Sequence, residues 1–170
     1  MIAIRAIRPE DAPAFHTLRL ALDRETSFMM LEPDERSTTA KAARDEIREV
    51  IETGRRACFV AASGETLLGY AEALGGAYRR NRHCAYVVLG VRQTASGQGI
   101  GSRLLSRLDR WAYEVGVRRL ELTVMHHNER AIALYRRMGY EVEGTRYRAM
   151  RVDGGFVDEL YMARWLEDRE

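Results

Sequence analysis

The segment Ser96-Gly97-Gln98-Gly99-Ile100-Gly101 lies between two runs of opposite periodicity. Before it, Tyr86 to Val91 is a short apolar run of strand character; after it, Ile100, Leu104, Leu105, Leu108, Trp111, Ala112 and Val115 repeat at helical spacing up to Gly116. The chain must therefore turn from strand to helix through three glycines, Gly97, Gly99 and Gly101. Glycine permits the tight turn and lets the backbone approach a ligand closely. The first amides of the helix that follows have no intrahelical acceptor and carry the positive end of its dipole. Such a turn is suited to a diphosphate and implies a phosphorylated ligand. The competing reading is a tight connection with no ligand.

Two familiar phosphate loops are excluded by their own requirements. A nucleotide-hydrolysing loop ends in Gly-Lys-Ser/Thr, whereas Ile100-Gly101-Ser102 carries no lysine. The dinucleotide fingerprint needs a third glycine where Ser102 stands, and it follows a first strand, whereas this turn is mid-chain.

Downstream, the alternating run Leu120-Glu121-Leu122-Thr123-Val124 leads into Asn128-Glu129-Arg130-Ala131-Ile132-Ala133-Leu134-Tyr135-Arg136-Arg137-Met138-Gly139-Tyr140. Together with the glycine turn, these segments make up about a third of the chain and resemble the GCN5-related N-acetyltransferase (GNAT) superfamily in order and spacing. The resemblance implies acetyl-CoA as cosubstrate, with no metal. By position it implies that Ser96, Gly97, Gln98, Gly99, Ile100, Gly101 and Ser102 form the pyrophosphate loop. It also implies that Leu89 and Val91 pair with pantetheine, and that Asn128 and Tyr135 lie at the thiol end. Ser96 departs from the family, which usually has Arg or Gln there; Arg92, Arg103 and Arg137 are neighbouring sources of the missing charge.

The remaining periodicities order the other elements. Ile2, Ile4 and Ala6 alternate as a strand ending at Arg8-Pro9, and Ala12, Phe15, Leu18 and Leu22 mark a helix. A second helix is expected from an N-cap at Ser37 through Ala40, Ala43, Ile47, Val50 and Ile51 to Gly54. Ala57 to Ala62 and Leu67 to Ala73 read as a hairpin about Ser63-Gly64-Glu65, and two closing strands fall near Tyr140 to Val152 and Phe156 to Met162. This order implies a mostly antiparallel sheet with one parallel crossing. With the resemblance it implies a mixed α/β (α+β) GNAT-like fold, a mostly antiparallel twisted sheet of about six to seven strands flanked by about four helices.

With 170 residues, 46% of them apolar, the chain is expected to form one domain over residues 1–170 without disulfide staples. Cys58 and Cys84 sit in apolar runs, where thiols are usually buried. A net charge of +2, with acidic residues between the basic ones, gives no case for nucleic-acid binding. Of the 27 basic residues only Lys41 is not arginine, which a codon-biased genome explains. No basic and apolar leader precedes Met1-Ile2-Ala3-Ile4-Arg5, and no apolar stretch approaches the ~18 residues of a membrane span, so a cytoplasmic protein is expected.

The chemistry implied is attack of an amine on a thioester. An alkyl ammonium is only about 0.1–1% neutral near pH 7.5–8, so a proton acceptor is useful. Glu72 is the first choice, ahead of His83, His126 and His127. Each also reads as a structural or solvent-facing residue. Tyr135 is the natural donor to the leaving thiolate, Asn128 is both a helix cap and a pantetheine contact, and an unpaired amide near Leu89 would meet the developing oxyanion. Phe28, Met29 and Met30 give the first inter-helix connection more apolar bulk than a solvated loop carries. In the resembling family this connection walls the acceptor site, with Glu32 placed to attract an ammonium group.

The expected function is transfer of acetyl from acetyl-CoA to a small primary amine such as an amino acid, by direct attack in a ternary complex. The ending Asp158-Glu159-Leu160-Tyr161-Met162 resembles bacterial members that act on such amines. Acetylation of a protein N-terminus or lysine, and a non-catalytic CoA-binding sensor, are the alternatives. Homodimers are common in the family.

Overall fold

A computed structural model describes residues 1–167. Its strands are β1 (Ala3–Ala6), β2 (Arg56–Ser63), β3 (Thr66–Gly75), β4 (Cys84–Val91), β5 (Arg119–Met125), β6 (Glu141–Val152) and β7 (Gly155–Trp165). They form one sheet in the order β1-β2-β3-β4-β5-β7-β6. Every neighbouring pair is antiparallel except β4 and β5, the single parallel crossing expected from the strand–helix–strand unit around the glycine turn. The helices are α1 (Ala12–Glu25), α2 (Ala40–Thr53), α3 (Ile100–Glu114) and α4 (Glu129–Arg137).

Strand alternation divides the core into two layers, one on each face of the sheet. On one face Phe15, Leu18 and Leu22 of α1 and Ile47 and Val50 of α2 pack on Cys58, Val60 and Tyr70. On the other, Leu104, Leu105 and Leu108 of α3 pack on Phe59, Ala71, Val87 and Leu120.

Local chemistry explains most boundaries. Gly54 ends α2 at φ 63, the left-handed conformation that glycine tolerates. The start of that helix differs from the expected one: Thr39, not Ser37, caps it by accepting a hydrogen bond from Ala42 N at 3.1 Å. Ser37, Thr38 and Thr39 are three adjacent capping residues, and Thr39 is the one from which Ala43, Ile47 and Val50 all face the core. Ile51, expected on the apolar stripe, is 54% exposed. Cys58 is buried and Cys84 only half-buried, and both are free thiols. Among the described residues no helix is long and apolar enough to cross a membrane.

Candidate active site

The parallel pair β4 and β5 is held together only over Cys84–Tyr86 against Arg119–Glu121. Beyond Tyr86 the two strands separate, and the Tyr86 hydroxyl bridges to Thr123 Oγ1 at 2.8 Å where the gap opens. The register of β4 on β3 decides what faces that gap. Gly76 N donates to Cys84 O at 2.9 Å and Arg92 N donates to Leu68 O at 2.8 Å, so the even-numbered residues of β4 spend their backbone groups on β3. Val87, Leu89 and Val91 turn theirs to the parted edge. All three line a cleft of about 1040 Å³.

One end of this cleft is the glycine turn. Gly97, Gly99, Ile100, Gly101 and Ser102 line it, with Ser96; Gln98 is exposed and is not part of the lining. Gly99 precedes α3 at φ 70, and no side chain caps that helix. The contrast with its neighbours is informative, since Thr39 caps α2 and Asn128 Oδ1 caps α4 by accepting from Ala131 N at 3.3 Å. The first amides of α3 thus keep their donors for something outside the protein. Gly101 serves a different purpose from Gly99: a Cβ there would lie 2.7 Å from Leu134 Cδ2, so its bareness lets α3 approach α4.

Charge at this end comes from α4. Arg92 is committed to Glu25 at 2.6 Å and Arg103 donates to Ile2 O at 2.8 Å. Of the three arginines considered as replacements for a basic residue at Ser96, only Arg137 lines the cleft. Arg130, not singled out from sequence, joins it, with Nη2 3.9 Å from the Cβ position of Gly97.

Tyr135, on α4, lines the same cleft, with its ring 5.6 Å from that of Tyr140. It is buried, its hydroxyl meets no partner among the described residues, and the oxygen is not sealed from the cleft. Burial pushes its ionisation above the ordinary phenol range, so the hydroxyl keeps its proton. Asn128 both caps α4 and lines the cleft. Its replacement by Ala is expected to cost about 1 kcal/mol of stability through the lost cap, read as a lower denaturant midpoint at unchanged slope.

The far end is lined by Phe28, Met29, Met30, Arg36, Tyr70, Tyr86, Met150 and Glu159. Phe28 is further fixed against His127, ring centroids 5.0 Å apart. A register shift in β6 between Arg146 and Met150, with Arg148 at φ 51, bends that strand so that Met150 joins this wall. Glu32, expected here, is exposed outside the lining, its N–H donating to Glu35 Oε2 at 2.8 Å.

The structure does not bring Glu72 to the cleft. It faces α2 from β3, where Arg56 Nη2 donates to Oε1 at 2.7 Å; burial pushes its carboxyl up and the Arg56 contact opposes that shift. His83 stacks near Trp165 at 6.2 Å, and His126 and His127 are exposed. The carboxylate that does face the acceptor end is Glu159, only 4% exposed, with Oε2 accepting from Arg146 Nη1 at 2.8 Å. Sequence reasoning passed over it because an acid in the alternating run of β7 reads as solvent-facing. A smaller hollow of about 450 Å³ adjoins Tyr86 and Thr123, but Arg119 there is matched by Glu121 and Glu143 and offers no uncompensated charge.

The family model described as Acetyltransferase (GNAT) family matches residues 18–140. The chain is 35% identical over 89 residues to the L-amino acid N-acetyltransferase AaaT of Escherichia coli (strain K12), covering 50% of this chain and 53% of that protein. It spans about half the length of the curated relatives it matches. An acetyltransferase of the GNAT family from Streptococcus pneumoniae superposes with a TM-score of 0.94 at 25% identity, over 98% of this chain and 100% of that one. A GNAT superfamily phosphinothricin acetyltransferase from Sinorhizobium meliloti, solved in complex with acetyl-CoA, shares the fold, with a TM-score of 0.84 at 20% identity over 97% and 88% of the two chains.

Proposed function

Because the chain belongs to the GNAT family of acetyltransferases, we propose that it transfers an acetyl group from acetyl-CoA to the primary amine of a small molecule by direct attack in a ternary complex. The observation that carries this reading is one cleft lined by an uncapped helix N-terminus, an unpaired strand edge, a proton-holding phenol, apolar side chains and a buried carboxylate. These residues fit the cosubstrate. The amides of α3, with Arg130 and Arg137, take the pyrophosphate; the parted edge of β4 at Leu89 and Val91 pairs with the pantetheine amides. Acetyl-CoA supplies an activated acyl group as a thioester.

The chain's own residues then move two protons. Glu159 accepts one from the acceptor ammonium, directly or through water, leaving the neutral amine to attack the carbonyl carbon. An amide of the parted edge near Leu89 donates to the carbonyl oxygen as negative charge develops there. As the C–S bond breaks, the attacking nitrogen loses its second proton to water, Tyr135 gives its proton to the departing sulfur and regains one from solvent, and Glu159 releases its proton to solvent.

Glu159→Gln is expected to lower kcat/KM for amines by about 10²-fold, with acetyl-CoA affinity unchanged. Glu72→Gln, acting beneath α2, is expected to shift the melting temperature and not kcat; the reverse pattern assigns the proton acceptor to Glu72. The reading as a whole is tested by incubating the protein with acetyl-CoA and a panel of amines, amino acids and short peptides. Free thiol and acetylated product should appear in equal amounts with small amines. Acetyl-CoA binding without thiol release would make the protein a sensor, and turnover confined to peptides would make it a protein acetyltransferase.

A further inference from the structure

One cation at the acceptor end is left unused by that mechanism. Arg36 comes from the irregular connection between α1 and α2, yet its guanidinium is fixed in place. Nη2 donates to Asp23 Oδ1 at 3.0 Å and Nε donates to Oδ2, and Asp23 is only 2% exposed. Burying such a pair is no reliable gain in stability, because desolvation offsets the attraction. Its specific effect is to hold a planar guanidinium in one orientation. With Nε and Nη2 committed, Nη1 keeps both of its N–H donors. No acceptor meets Nη1 among the described residues, and it is not sealed from solvent.

The surroundings say what those donors are for. The other cations of the cleft lining, Arg130 and Arg137, belong to α4, so Arg36 is the one that comes from the same connection between α1 and α2 as Phe28, Met29 and Met30. Glu25, a carboxylate of the same cleft, is already taken by Arg92 Nε at 2.6 Å and by Gln93 N at 2.9 Å, and does not compete for Arg36. Glu159 supplies the opposite sign with an Oε1 that meets no donor among the described residues and is likewise not sealed. A cleft lined by one open donor group, one open acceptor oxygen and apolar side chains matches a ligand bearing both charges and a hydrophobic body.

We propose that Arg36, oriented by Asp23, binds a carboxylate of the acceptor, and that the acceptors are therefore zwitterions, amino acids with apolar side chains, whose ammonium faces Glu159. The proposal rests on the acetyl-transfer reading above. Asp23 is a positioning residue, since it acts only through Arg36.

The test uses matched pairs: phenylalanine against phenethylamine, and methionine against 3-(methylthio)propylamine, in wild type, Arg36→Gln and the double variant Asp23→Asn/Arg36→Gln. Wild type should favour the amino acid by about 10²-fold or more in kcat/KM, because a site built to bind a group rejects the analogue lacking it. In Arg36→Gln that preference should collapse to within about threefold, through KM for the amino acid, while acetyl-CoA affinity is retained. Should Arg36→Gln unfold because Asp23 is left buried and unpaired, the double variant replaces the ion pair with two amides and reads the same ratio. Amines acetylated by wild type without a carboxylate preference, or a preference that survives in the variants, would overturn the role of Arg36 and leave acetyl transfer standing. Acetyl-CoA binding with no turnover of any acceptor would overturn both.

Discussion

Tyr135→Phe is expected to lower kcat by roughly 10²- to 10⁴-fold, the scale of a lost general acid, while acetyl-CoA affinity stays nearly normal. The ring is buried against Tyr140 and the α3-side core, and Phe retains that packing. The hydroxyl meets no hydrogen-bond partner among the described residues, so its removal breaks no bond and should leave stability unchanged or slightly raised. Stability and rate therefore separate cleanly in this variant. The same burial sets the pH dependence. Because the phenol is held above its ordinary value of about 10, activity should rise with pH as the acceptor amine loses its proton, with no fall near pH 10 from ionisation of Tyr135. A kcat within threefold of wild type, or a melting temperature that falls while kcat holds, would make Tyr135 a core aromatic and place the proton donor elsewhere.

Gly99→Val is expected to weaken acetyl-CoA binding at least tenfold without unfolding the protein. Gly99 sits at φ 70, where a β-branched side chain is strained, and no atom of the fold crowds its Cβ position closer than Ser102 Oγ at 3.8 Å. The strain is thus local to the residue that aims the first amides of α3. Gly101→Val should behave differently. Its side chain would meet Leu134 Cδ2 at 2.7 Å and push on a residue that itself lines the cleft, so lost affinity there should be accompanied by a lower melting temperature. Calorimetry on both variants, with thermal melts alongside, distinguishes a phosphate cradle from a packing contact. Unchanged affinity in a folded Gly99→Val protein would discard the cradle.

What the sequence made legible was local. The switch from strand alternation in Tyr86 to Val91 to the helical stripe of Ile100 to Val115 marked the turn, and the order of elements around it implied one parallel crossing in an antiparallel sheet, which is the topology found. Residues tied to those elements, Leu89, Val91, Ser102, Asn128 and Tyr135, line one cleft because their positions follow from strand parity and helix phase. The acceptor end was less legible because it is built from contacts distant in sequence. Glu159 reaches the cleft through the register of β7 on β5 and β6, and Arg36 through an ion pair with a residue on α1. Glu72 looked equivalent to Glu159, an acid in an alternating strand, and only the packing of α2 with Arg56 sets it apart. Gly101 shows the same limit from the other side, since nothing local distinguishes a glycine that faces a ligand from one that admits a neighbouring helix.

The central claim is that the parted edge of β4 and the open end of α3 hold the acyl donor with its sulfur at Tyr135. A crystal structure of the protein with coenzyme A tests it directly. The account predicts pyrophosphate oxygens within about 3 Å of the amides of the Gly97 to Ser102 turn, pantetheine bonded to the backbone of Leu89 and Val91, and the thiol beside the Tyr135 hydroxyl. Coenzyme A bound with its pyrophosphate away from that turn, or with its thiol outside the gap between β4 and β5, would contradict it.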